Sequence, residues 1–261
     1  MNAFGLYRRY LGVSIRAQLQ YPGSFILQTL GHLLITAIEF VGVWALFDRF
    51  GSLSGWSLPE VALFYGLADV TFALADAIAR GFTVFASLVR SGDFDRILLR
   101  PRSTALQILG QELTLRRAGR LVQALVVLIW ATTRTQVVMS VPRAALLGFA
   151  VLGGVCLFVG LFILEATSAF WTTTTLEVWS AVTYGGNAAS QFPMSIYRPW
   201  FRRFFTYVIP LVCVTFLPGA AVLGRGDMTW AAVAPLSGVA FLAVTLRIWR
   251  LGVRHYTSTG S

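Results

Sequence analysis

The chain has 261 residues, of which 56% are hydrophobic and only 12% charged, against roughly a quarter charged in an ordinary soluble domain. With a mean hydropathy of +0.70 and apolar runs of twenty-odd residues, it reads as a polytopic membrane protein with no room for a separate soluble domain. The 21 basic residues, against 11 acidic, are all arginine, and the lack of lysine excludes a P-loop ATPase, a protein kinase or a Schiff-base enzyme.

Two histidines (His32, His255) and two cysteines (Cys156, Cys213) cannot assemble a clustered zinc site, and both cysteines sit in apolar runs as small core residues. The net charge of +10 points to orientation in the bilayer and to anionic lipid rather than to nucleic acid.

At the N-terminus, Phe4, Tyr7, Leu11, Ile15 and Leu19 recur at helical spacing, with Arg9, Arg16 and Gln20 opposite. This predicts an amphipathic interface helix over 4–20, ended by Tyr21, Pro22 and Gly23. Spans are expected at 25–47 and 58–79, joined by a short polar connection. A long arginine-rich stretch, 80–120, separates them from spans at 121–139 and 144–170, and a last span is expected at 230–248.

Placing the N-terminus, 80–120 and the C-terminus inside puts fourteen arginines in the cytoplasm, while Arg49, Arg134, Arg143 and Arg225 lie outside. Both termini are then cytoplasmic and the number of crossings is even. The segment 172–224 has two readings. In one, 204–223 is the fifth span. In the other, 176–192 crosses the membrane and 193–223 forms an external re-entrant hairpin, with Pro193 at its start and breaks at Pro199, Pro210 and Pro218. The second spares a lipid-facing helix from unsatisfied carbonyls at two prolines, and it is the one adopted. It leaves Arg198, Arg202 and Arg203 outside, against the charge bias.

Ionisable groups within spans are the default functional candidates. Glu39, Asp69, Asp76 and Glu165 fit a proton relay or a contact for a cationic substrate. They fit equally an interhelical pair or hydrogen bond, and Asp76 has Arg80 four residues later. The most specific local feature is Gly92, Asp93, Phe94, Asp95, Arg96, Ile97, Leu98, Leu99, Arg100 and Pro101. Gly92 gives a turn, Asp93 is placed to cap a two-turn helix carrying Phe94, Ile97 and Leu98, and Pro101 stops it. An apolar helix in the cytoplasm usually docks into something.

This motif, following two spans and a helix ending at Tyr21 and Pro22, resembles the membrane subunits of ABC-2 type transporters, specifically a permease branch of about 260 residues. The resemblance extends over Phe170 and Trp171, over 192–197, and through Trp200, Pro210 and Pro218. It implies an all-α, six-span exporter half in the bacterial cytoplasmic membrane, without catalytic residues of its own. It also implies that 91–101 couples to a separate P-loop ATPase present in two copies, which carries the ATP and Mg, and that a second permease subunit completes a homo- or heterodimer. The competing readings are a proton-driven secondary transporter, for which no inverted repeat is evident, and a membrane scaffold. The transported substrate is not encoded in any motif.

Overall fold

The computed structural model describes residues 12, 16, 20, 22–110, 118–172 and 177–257. The expected interface helix over 4–20 lies almost wholly outside these, as do Arg116, Arg117 and the first residue of the fifth expected span. Every regular element among the described residues is helical, apart from an isolated bridge between Leu53 and Trp56.

Helix α1 spans Pro22–Phe50 and α2 spans Leu58–Thr83. Pro59 sits in the first turn of α2, and Glu60 accepts from the Ser57 amide (2.8 Å) and hydroxyl (2.9 Å), satisfying donors that a helix start leaves unpaired. Three short helices follow, α3 (Phe85–Arg90), α4 (Asp93–Leu98) and α5 (Thr104–Leu109). Then come α6 (Ala118–Arg134), α7 (Val141–Thr172) and α8 (Glu177–Ser190). Beyond a single 3-10 turn, α9 (Pro199–Arg203) widens into a π-turn ending at Val208. A second π-turn, Val212–Phe216, leads into α10 (Leu217–Val222), and α11 (Met228–Val233) and α12 (Leu236–His255) complete the chain.

Helix α2 is the axis of the bundle. Val61, Leu63, Phe64, Leu67 and Phe72 on it are fully buried, packed by α6 on one side and α7 on another. Helix α12 lies along α7 where both backbones carry glycine: a Cβ on Gly238 would collide with the Gly153 carbonyl. Removing the side chain is what allows two helices to approach this closely. Helix α1 is peripheral, buries only Thr36 and Phe47, and touches mainly α6.

Four helical stretches are long and apolar enough to cross a membrane: Pro22–Phe50, Leu58–Arg90, Val141–Thr172 and Met228–His255. The pair Pro199–Val208 and Val212–Val222, bent by 87°, gives a fifth if counted as one. Helix α6 has 17 residues, about 26 Å. The expected third span, 121–139, therefore starts earlier and ends sooner. Thr132, Thr133 and Thr135 each donate a hydroxyl to a carbonyl three residues back, competing with the helix where it stops. The expected last span, 230–248, lies within the apolar stretch Met228–His255, where a turn at Ala234 and Pro235 separates α11 from α12, proline lacking the donor an uninterrupted helix needs.

A candidate coupling surface and a buried ion pair

Helix α4 begins at Gly92, whose φ of +73° is the left-handed conformation that glycine adopts without penalty. Gly92 is the cap, and Asp93 is the first helical residue, so the helix starts one position earlier than the sequence suggests. The Asp93 carboxylate accepts from the Ser91 hydroxyl at 2.8 Å and lies 3.6 Å from exposed Arg96.

Phe94, expected on a partner-facing surface, points the other way and is fully buried. Its ring meets Phe85 and Tyr256 edge-on at 5.0 Å and Phe170 at 5.5 Å, while Trp249 packs on Phe85 at 4.9 Å. This aromatic cluster joins α3 and α4 to the ends of α7 and α12. Ile97 is buried as well, and the Gln107 amide ties its carbonyl (3.3 Å) and that of Arg102 (3.2 Å) to α5. What α4 and its end present outward is Leu98 (39% exposed), Leu99 (85% exposed), Arg96, Arg100 and Pro101, with Asp95 half-buried.

The four carboxylates do not converge. Glu39 projects from the exposed side of α1. Asp76 is buried one turn before Arg80, whose guanidinium donates to the Thr83 hydroxyl at 2.9 Å. Glu165 is buried in α7 and accepts from the Ser180 hydroxyl at 3.2 Å.

Asp69 sits at a junction of three helices. Fully buried in α2, it takes three donors on one oxygen: Arg120 of α6 at 2.8 Å, Asn187 of α8 at 3.1 Å and Gln191 at 3.0 Å. The Arg120 guanidinium also lies over the Phe72 ring, 4.6 Å from its centre. From sequence, Arg120 reads as the last residue of the cytoplasmic stretch, and Asn187 and Gln191 carry no role. Their spacing of four in a modestly apolar segment, one helical turn, was the available signal.

The four hairpin prolines stand where chain direction changes. Pro193 precedes the 3-10 turn, Pro199 is the first residue of α9, Pro210 lies at the bend, and Pro218 is in the first turn of α10. Both flanks of this segment are fastened to one turn, the one joining α1 to α2. The Trp56 indole donates to the Ser195 hydroxyl at 3.1 Å. Arg225 donates twice to the Gly55 carbonyl, at 3.1 Å each, pairs with Glu60 at 2.9 Å, and stacks over the Trp56 ring. At the same end of the bundle a cleft of about 690 Å³ is lined by Ser52, Arg134, Gln136 and Arg225. Asp227 caps α11, and the Thr229 hydroxyl and then its amide hold the carboxyl below its ordinary value.

Among the described residues no three or more side chains gather as a metal site. No curated protein and no solved structure matches the chain. A family model described as "ABC-2 family transporter protein" matches residues 33–260, nearly the whole of the helical bundle. The chain is a membrane protein of the ABC-2 transporter family.

Proposed function

We propose that the chain is the permease subunit of an ATP-driven exporter, coupled through 91–101 to a separate P-loop ATPase. The observation that carries this reading is the construction of α4. A two-turn helix is anchored by Phe94 against Phe85 of α3 and against Phe170 and Trp249 at the ends of α7 and α12, yet exposes Leu98 and Leu99 beside Arg96 and Arg100. A push on such a helix bears on α3, α7 and α12. A chain without lysine depends on a partner for ATP hydrolysis, so ATP and Mg belong to that partner, present in two copies beneath a homo- or heterodimer of permeases.

The six spans of this reading are 25–47, 58–79, 121–139, 144–170, 176–192 and 230–248, with α8 in the fifth and α11 and α12 in the last. The segment 193–223 is an external re-entrant hairpin, supported by the attachment of both its flanks to the turn at 51–57. Arginine bias places that turn outside and α3–α5, with both termini, in the cytoplasm of a bacterial cell. The test is copurification with the ATPase and its vanadate-sensitive turnover. Leu98→Asp with Leu99→Asp is expected to release or uncouple the ATPase while the permease still inserts and melts as before. An equally bound and equally coupled ATPase refutes the docking site.

A further inference from the structure

The first arm of the bent pair carries a surface that no part of the transport reading uses. Tyr197, Phe201 and Phe205 stack in series, 4.8 and 4.7 Å between centroids, and the Tyr197 hydroxyl donates to the Ala189 carbonyl at 3.1 Å. Phe205 lies over Gly186. This row fixes one face of the arm on α8 and turns the other face outward. The outward face holds Arg198, Arg202 and Arg203, all exposed, with Trp200 (65% exposed), Tyr207 (82%) and Val208 (60%).

Among the described residues none of the three guanidiniums makes an ion pair or a side-chain hydrogen bond. The flanking acidic residues in sequence are Glu177, 21 residues before Arg198 at the start of α8, and Asp227, whose carboxylate is spent on Thr229 at the start of α11. Three unpaired cations on a fixed helical face in an apolar protein need an anion or water. We propose that this face is a binding site for an anionic phospholipid of the surrounding leaflet, the phosphate held by Arg198, Arg202 and Arg203 and an acyl chain lying along Tyr207 and Val208.

Charge and the order of residues along the arm both favour this occupant. Polar and amphipathic groups come first, at the end tied to Trp56 through Ser195, and the apolar ones come last. The eleven residues from Arg198 to Val208 cover about 15 Å, half of a hydrocarbon core of about 30 Å. Trp200, beside the arginines, is a residue type that settles at the headgroup boundary. A soluble anion uses the arginines but gains nothing from the apolar end. A second permease copy brings no described carboxylate cluster to match three arginines.

The site rests on the arm's exposed face and on its running inward from the outer interface, so its test is separate from ATPase coupling. The full-length protein is reconstituted in phosphatidylcholine bilayers containing a photoreactive phosphatidylglycerol, and adducts are mapped by mass spectrometry. Adducts are expected within 198–208. They are expected to fall at least tenfold in R198Q/R202Q/R203Q, whose substitutions are all at exposed positions, and to survive millimolar glycerol phosphate. Three results overturn the proposal: wild-type adducts only elsewhere, competition by soluble glycerol phosphate, or loss of the permease dimer in the triple variant. Wild-type mapping alone decides the matter if the variant fails to fold.

Discussion

Replacing Asp69 with asparagine removes the charge at the centre of the four-residue junction and leaves Arg120 facing hydrocarbon and buried amides. Breaking a buried pair by removing one partner costs about 3–5 kcal/mol. Arg120 keeps 22% of its side chain exposed and retains its stacking on Phe72, so part of that cost is relieved. We expect a loss of about 2–4 kcal/mol for Asp69→Asn. The double substitution Asp69→Leu with Arg120→Met removes both charges and leaves only Asn187 and Gln191 without their acceptor; half-buried Gln191 can turn to water, so the cost is that of buried Asn187, about 1–3 kcal/mol. The double variant is therefore expected to be no less stable than Asp69→Asn, and far more stable than the sum of Asp69→Leu and Arg120→Met. Unfolding in mixed micelles of increasing dodecyl sulfate, followed by tryptophan fluorescence, measures all of them. Additive losses around the cycle refute the coupling, and with it the reading of Asp69 as the bond between α2, α6 and α8.

Phe94→Ala is expected to lower stability by about 3–5 kcal/mol through the cavity it opens, whereas Leu99→Ala leaves the melting curve within about 0.5 kcal/mol; equal effects refute the inward orientation of Phe94. Gly92→Ala should cost about 1–2 kcal/mol by forcing a side chain into left-handed backbone, and an unchanged melt argues against that turn. Gly238→Val should separate α7 from α12 and lower the yield of folded protein in detergent, while Gly148→Val, where a Cβ meets nothing, should not. Cysteines placed singly at Ser52 and Ser195, with Cys156 and Cys213 replaced by alanine, should both react with an impermeant maleimide from outside intact cells. Reaction at only one of them breaks the topology proposed for 193–223.

The long apolar runs are legible because each exceeds what a soluble core helix needs, and helices cover 25–47, 58–79 and 144–170. The boundaries slipped where hydropathy does not act. Val137, Val138 and Met139 extend an apolar run, but local threonine bonds end α6 before them. The direction in which Phe94 faces was not legible, since a two-turn helix with Phe94, Ile97 and Leu98 is apolar on either side until its neighbours are known. Arg120 was misplaced for a related reason. Charge bias counts arginines by position in the chain and cannot see that one of them folds back onto a carboxylate 51 residues earlier. The spacing of Asn187 and Gln191 puts them on one face of a helix, but what that face meets is fixed only once α2 lies beside α8.

The double attachment at the turn joining α1 to α2 has a mechanical consequence. Ser195 and Arg225 fasten the two ends of the bent pair to the residues just before Leu58, so that pair rides on the start of α2. The opposite end of α2, beyond the kink at Ala79, is packed into the aromatic cluster around Phe94. The 22 residues from Leu58 to Ala79 make a rod of about 32 Å. A tilt of about 5° about one end of such a rod moves the other by about 3 Å, roughly the spacing of two residues along a helix. Small rotations at one face of the bundle are thereby delivered at the other through a single stiff helix, and the peripheral α1 need not take part.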